Sequence, residues 1–383
     1  MEELAGQKID FQSHFHEHIL RCWIPRAVDA VNGGFQQNYA EDWTELPDES
    51  RSLVYHCRMI WLAAAAGETA VADEGCRSLW EKFWDQDYGG FVWSIPNNGG
   101  SLDPEKHLYG NAFAIFALAQ AGKKEDAMWA FQWIDLHAHD ELNGGYFETC
   151  WSDGEPNLSS EGLDSLGTPY GLKSMNSNLH MMEALIELYH LSEDPKVRQR
   201  LQETFDVFRT RFAYSDGRLI YYATKELAAA TDIDSYGHAM EAAFLMIESA
   251  EALEKNVEET WAQAKTMVDR TIQAGWDTQN GGMFNEGHFG KPAHDRRKIW
   301  WVQAESFNVL RILAQRYGEP YQGLCDHQWA FIKNHMIDHE HTGWRPTVNE
   351  DGSRIPDLNK SDAWTEGYHQ GRAVLLALAE PKG

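Results

Sequence analysis

Six copies of a glycine turn, each followed by an aromatic or aliphatic residue, constrain this chain more than any other feature. Asn32-Gly33-Gly34-Phe35, Tyr88-Gly89-Gly90-Phe91, Asn143-Gly144-Gly145-Tyr146 and Asn280-Gly281-Gly282-Met283 are clear copies, and Asp216-Gly217-Arg218-Leu219 and Thr342-Gly343-Trp344 are degenerate ones. Measured at the last glycine, successive copies lie 56, 55, 72, 65 and 61 residues apart, room for two helices and their connections. Before each turn runs an amphipathic, rather charged helical pattern, over 15–30, 70–85, 124–138, 195–212, 257–275 and 321–337. After each turn come a short extended piece, a polar loop and a far more apolar helix, over 53–66, 109–121, 179–189, 237–253, 301–316 and 369–379. Helices apolar nearly all round belong inside. The alternation predicts an all-α (α/α)6 barrel, with the polar helices outside, the apolar ones inside, short strands in the connecting loops, and one domain over 1–383. An open solenoid of helix pairs is the competing arrangement. Polar and aromatic clusters at the starts of the apolar helices favour the closed ring, where they converge on one cavity.

Composition excludes several classes of function. The chain has 59 acidic and 33 basic residues, a formal charge of −26, which repels nucleic acid and anionic membrane surfaces. Five scattered cysteines without a CxxC pair suit a reducing compartment and give neither a disulfide framework nor a thiolate metal site. No apolar run reaches the roughly 18 residues that span a bilayer, and the N-terminus lacks an apolar leader segment. The expectation is a cytoplasmic protein, a monomer or homodimer. Neither a dinucleotide-binding glycine motif nor a P-loop is present, so no nucleotide cofactor is expected.

The starts of the inner helices carry Arg58 with His56, His107 with Tyr109, Asn176 with His180, Tyr236 with His238, Trp300 with Trp301, and Trp364 with His369. Aromatic faces cover the C–H faces of a sugar ring while Arg, Asn and His satisfy its hydroxyls, so a neutral mono- or disaccharide is the expected partner. His180 and Glu183, like His238 and Glu241, stand three apart and share a helix face. Each Glu then either orients its imidazole or merely forms a structural pair. A metal bound by His and carboxylate is a third possibility, disfavoured because there is no HExxH, no thiolate set and no clear third ligand. A histidine titrating near 6.5 can remove or return a proton at neutral pH, and two of them can invert a carbon α to an aldehyde through an enediolate that Arg58 stabilises. Glycosidases need two positioned carboxylates instead, an option that Glu241 and Glu305 keep open. His14, His16 and His327 are expected on the surface, and Trp61, Phe113 and Phe244 in the core.

Eight ordered segments, from Asn32-Gly33-Gly34-Phe35 through His56-Cys57-Arg58, Asp87-Tyr88-Gly89-Gly90-Phe91, Tyr109-Gly110-Asn111-Ala112-Phe113-Ala114, Ser174-Met175-Asn176-Ser177-Asn178-Leu179-His180, Ser235-Tyr236-Gly237-His238-Ala239-Met240-Glu241-Ala242 and Trp300-Trp301-Val302-Gln303-Ala304-Glu305 to Trp364 with Tyr368-His369 and Arg372, resemble the N-acylglucosamine 2-epimerase family, especially its cellobiose 2-epimerase branch. The resemblance implies the same barrel, no dissociable cofactor, and interconversion of sugars at C2 or, in some members, of aldose and ketose. It implies His238 and His369 as the acid–base pair, Arg58, Tyr109, Asn176, His180, Glu241 and Glu305 around the sugar, and Trp301 and Trp364 as stacking residues. Asn178 and Thr365-Glu366 depart from that branch, at positions expected to touch a second sugar unit.

Overall fold

The computed structural model describes residues 11–47, 50–97 and 103–379, and in them the helices alternate as expected. The outer set is α1 (residues 11–23), α3 (Thr69–Lys82), α5 (Lys124–His137), α7 (Pro195–Val207), α9 (Val257–Gly275) and α11 (Tyr321–Phe331). The inner set is α2 (Leu53–Ala65), α4 (Leu108–Gln120), α6 (Met175–Ser192), α8 (Tyr236–Leu253), α10 (Trp300–Tyr317) and α12 (Tyr368–Leu378). The two sets differ because their sequences do. Every residue of α4 except Gln120 is buried, whereas α5 buries only Ala127, Ala130, Phe131, Ile134 and Asp135. Each inner helix packs on the next, and α12 packs on both α10 and α2. The ring is therefore closed, which rules out the open solenoid.

Inner-to-outer connections are tight turns at one end of the barrel. The outer-to-inner connections are long and lie at the other, among five two-stranded antiparallel ribbons such as Ser50–Ser52 with Ser94–Pro96 and Leu172–Ser174 with Tyr222–Thr224. Two devices recur there. First, Asp29, Asp85, Asp140, Asp277 and Asp338 open the glycine turns, each accepting the N–H groups two and three residues on. Each also holds a buried cation from just before the following inner helix: Arg51 on Asp29, Lys106 on Asp85 at 2.6 Å, Lys173 on Asp140 at 2.7 Å, Lys298 on Asp277 at 3.0 Å and Lys360 on Asp338 at 2.6 Å. In the fourth unit the polarity reverses, with Asp234 before α8 pairing with Arg270 of α9 at 2.7 Å. Second, an amide one turn into an inner helix clasps the backbone after the glycine pair: Asn111 on Phe91, Asn178 on Tyr146 and Gln303 on Met283. Asn178, read as a position that could touch a second sugar unit, is engaged with the Tyr146 and Ser174 backbone and is not among the residues that line the cavity.

The glycine pairs are steric requirements. Gly90 has φ +76°, and a Cβ there would come within 2.7 Å of the Trp133 indole. Gly90→Ala is expected to cost about 2–3 kcal/mol, from the left-handed backbone and the displaced ring together, measurable as a lower urea midpoint at unchanged m-value.

Three local expectations are corrected. The first outer helix ends at Trp23 rather than residue 30, because Pro25 has no N–H to continue the ladder and Ile24 is already extended. His14 is buried rather than exposed, accepting the Trp344 Nε1–H at 3.0 Å, and burial, with His18 and Lys333 adding, lowers its pKa to about 3. His56 does not belong to the mouth. It sits between α2 and α3 with Nε2 on the Gly75 carbonyl at 2.9 Å, and burial holds it at about 4. Among the described residues no helix is long and apolar enough to cross a membrane.

Candidate active site

The N-terminal ends of the inner helices surround a cavity of about 230 Å3. To it α2 contributes Arg58, α4 Tyr109, α6 Asn176 and His180, α8 His238 and Glu241, and α10 Trp300 and Trp301, while Trp364 and His369 come from the loop before α12 and from its first turn. Trp301 lies against both His238 (ring centroids 4.7 Å apart) and His369 (5.8 Å). Trp364, 39% exposed, stands at the rim near Trp93 and Tyr109.

Each imidazole is fixed by its Nδ1, leaving Nε2 as the nitrogen a ligand can use. His369 Nδ1 pairs with Glu305 Oε1 at 2.7 Å, His180 Nδ1 with Glu183 Oε2 at 2.8 Å, and His238 Nδ1 with Ser235 Oγ at 2.7 Å. Of the two His-x-x-Glu pairs read from the sequence, only His180–Glu183 forms. Glu241 instead accepts from Arg372, with its other oxygen 3.9 Å from His180 Nε2. Glu305, expected against the sugar, stands behind His369 and is not part of the cavity wall. His107, expected at the mouth, accepts the Tyr109 N–H and pairs with Asp164 at 3.1 Å, fixing the start of α4.

The floor is an ionic layer that sequence reasoning missed. Arg372 donates through Nη1 to Glu183 and to Tyr368 Oη (2.5 Å), and through Nη2 to Glu241 (2.6 Å) and Glu305 (2.7 Å). Arg58 bridges Glu366 (2.8 Å) and Tyr109 Oη (2.8 Å). Glu366 also takes the Tyr368 N–H, so it anchors Arg58 rather than reaching a second sugar. The signals available were an Arg in an apolar helix and the four-residue spacing of Tyr368 and Arg372 on one face. Glu241, Glu305 and His369 hold ligand atoms close enough for a metal ion, but Arg372 Nη2 already lies between the two carboxylates.

Burial and these partners set the protonation states. Burial lowers His238 to about 4, with Glu241 opposing only partly, and takes His369 well below its usual value, Arg58 adding to the effect. Burial raises Glu305 against the pull of Arg372. Burial acts the same way on Glu183, but Arg372, His180 and Tyr368 outweigh it and hold that carboxyl at about 2. Burial raises Tyr109 to about 12, Arg58 opposing. Near neutral pH the cavity thus presents the neutral imidazoles of His238 and His369 beside a permanently charged guanidinium.

Oriented histidines in an aromatic-walled cavity at the mouth of an (α/α)6 barrel suit proton transfer on a sugar, and the comparisons make the protein a sugar isomerase. The N-acylglucosamine 2-epimerase (GlcNAc 2-epimerase) profile matches residues 33–373. The chain belongs to the N-acylglucosamine 2-epimerase family and is a sugar 2-epimerase. It is 28% identical to a cellobiose 2-epimerase of Bacteroides fragilis, over 99% of this chain and all of that one. It is 27% identical to a D-mannose isomerase of Marinomonas mediterranea, over 92% of each. The solved cellobiose 2-epimerase of Spirochaeta thermophila superposes with a TM-score of 0.89 at 29% identity, covering 98% of this chain and 97% of that one.

Proposed function

We propose that this protein interconverts the glucose and mannose configurations at C2 of a free reducing sugar, either the monosaccharide or a cellobiose-type disaccharide, with His238 and His369 as the acid–base pair. The observation that carries this reading is that both imidazoles are neutral and held by Nδ1, with Nε2 left as the nitrogen for a ligand in the same cavity. In the open-chain aldose the C2 proton is α to the aldehyde. One histidine, its Nε2 unprotonated, removes it, and the resulting enediolate is stabilised by Arg58 with its Tyr109 hydroxyl; the second histidine, neutral with its hydrogen on Nε2, gives that proton to the opposite face, after which the first releases its proton to solvent and the second regains one. Glu305 holds the His369 tautomer and strengthens its Nε2 as a base. Asn176, His180 and Glu241 meet the sugar hydroxyls, while Trp301 and Trp364 cover its apolar faces.

A second reading is aldose–ketose isomerisation of mannose to fructose, favoured by the likeness to a D-mannose isomerase. It shares the enediolate and differs only in returning the proton to C1. Proton NMR in heavy water tests both, with mannose and with cellobiose as substrates. Glucose, or glucosyl-mannose, deuterated at C2 supports epimerisation, fructose supports the second reading, and no exchange from either sugar refutes both.

With His238 at about 4 and His369 below its usual value, kcat/KM is expected to stay level from about pH 8 down to about 5, with its acid limb near 4. An acid limb at the free-imidazole value of about 6.5 would show that the proposed base is not a buried histidine. Buried His14, His56 and His238 are neutral when folded and protonate near 6.5 when unfolded. Their contribution to stability is therefore full above about 6.5 and declines as the pH falls, so the rates are to be taken where circular dichroism shows the native fold.

A further inference from the structure

At the N-terminal caps of α2 and α6, Ser52 and Ser174 accept a backbone N–H of the first turn, as a capping hydroxyl does. Ser235 holds the same position on α8 but caps nothing. Its Oγ lies instead 2.7 Å from Nδ1 of His238, three residues on. Ser235 does not line the active-site cavity, so its hydroxyl meets the imidazole on the side away from Nε2.

The surroundings of this pair are fixed. The Ser235 backbone is paired with Glu286 in a two-stranded ribbon, and the preceding Asp234 is held by both Nη atoms of Arg270, at 3.0 and 2.7 Å. The His238 ring is confined by Trp301 (ring centroids 4.7 Å apart) and, edge-on, by Tyr221 (5.5 Å). What can still turn is the Ser235 O–H, toward Nδ1 or away from it. A hydroxyl both donates and accepts, whereas a carboxylate only accepts. Glu305, the partner of His369 Nδ1, can therefore donate only after taking up a proton itself. The two imidazoles thus have partners of different kinds.

An epimerase that runs both ways asks each histidine to remove the C2 proton in one direction and to supply it in the other. As base, neutral His238 carries its hydrogen on Nδ1 and leaves Nε2 free. As acid, it carries the hydrogen on Nε2, and Nδ1 is a lone pair. We propose that Ser235 is a positioning residue whose hydroxyl holds His238 in either tautomer, accepting from Nδ1–H in the first and donating to Nδ1 in the second. The change between them belongs to the free enzyme: one ring nitrogen takes up a proton from solvent and the other releases one, so atoms and charge balance while the O–H turns. When His238 gives its Nε2 proton to C2, the same O–H donates to the electron-rich ring, which then regains a proton from solvent at Nε2. The proposal rests on the acid–base reading above and adds the residue that lets one imidazole fill both parts.

Steady-state rates of the full chain from each sugar of a pair, mannose and glucose or cellobiose and glucosyl-mannose, test this at about pH 8, above the histidine range. Ser235→Ala is expected to lower kcat by about 10–100-fold, the contribution of one hydrogen bond to a charged group, with KM within about twofold of the parent. Its thermal midpoint should stay within a few degrees of the parent's, since no cap is lost. Ser235→Thr keeps the hydroxyl and should come back to within about threefold of the parent. Ser235→Asp offers Nδ1 a partner that only accepts, so its kcat should stay at least about tenfold low. In each variant kcat/KM falls by the same factor from both sugars, because their equilibrium is fixed. Circular dichroism checks each native fold; should Ser235→Asp not fold, the Ala and Thr variants decide. Parent-like kcat in Ser235→Ala or in folded Ser235→Asp, no recovery in Ser235→Thr, or a loss confined to KM or to stability would each overturn the proposal. A parent that turns over neither pair would overturn the acid–base reading itself, a result distinct from an active parent whose variants match it.

Discussion

Alanine at His238 or at His369 is expected to lower kcat by about 10²–10⁴-fold, the range that a positioned acid or base contributes, while the thermal unfolding midpoint stays within a few degrees of the parent. Both side chains are cavity-lining rather than packed core, so truncation removes a proton-transfer group without deleting much apolar contact. Solvent exchange distinguishes the two variants from a general loss of binding. If one histidine still acts as base, its partner's variant retains slow deuterium incorporation at C2 while failing to invert the centre. Unchanged turnover in either variant would remove that histidine from the proposed pair. Glu305→Gln is the milder companion: it keeps the shape but weakens the hold on His369 Nδ1, and its effect belongs in kcat rather than KM.

Arg372→Met carries the largest expected loss of stability. The guanidinium compensates Glu183, Glu241 and Glu305 at once, and removing one partner of a buried ion pair costs about 3–5 kcal/mol because the remaining charge is left without compensation. Urea denaturation reads this directly. A double variant, Arg372→Met with Glu183→Gln, should recover part of the loss, since it removes one of the orphaned charges, and the size of that recovery measures the coupling between the two residues. If the single variant proves as stable as the parent, the carboxylates of the floor are protonated in the native state and the layer is hydrogen-bonded rather than ionic.

Much of this arrangement was legible in the sequence because it is periodic. The glycine turns located all six units, and α8 and α10 begin within one residue of their expected starts. α6 begins four residues early, at Met175, because Ser174 caps it by accepting the Ser177 N–H and is itself held by Glu148, a residue 26 positions upstream. Nine of the ten expected site residues line the cavity. The tenth, Glu305, is one step removed, and Trp300, read at the start of its inner helix but given no role, lines the cavity as well. The failures share a cause. His56 is of the same residue type as the expected acid–base groups and only two residues from Arg58, but positions two apart on a helix do not face the same way, so one side chain enters the core as the other enters the cavity. The partners of Arg372 lie 67, 131 and 189 residues away on three other helices, a convergence that local pattern does not encode. The Asp–Lys clamps were missed for the same reason: their members are 21 to 33 residues apart and meet only when turn and strand are brought together.

Those clamps have a further consequence for how such a barrel can diversify. Each pins both ends of a long connection at the mouth, so whatever chain is threaded between the two anchor points contributes to the rim without bearing on the helices below. The third connection, between Asp140 and Lys173, already carries an excursion about a dozen residues longer than the one between Asp85 and Lys106, on an undisturbed ring. The molecule therefore separates a constant reaction chamber from exchangeable inserts around its entrance. Selection for a new sugar can act on the inserts one at a time, like fittings changed on a fixed socket, while the two histidines and their ionic footing stay where they are.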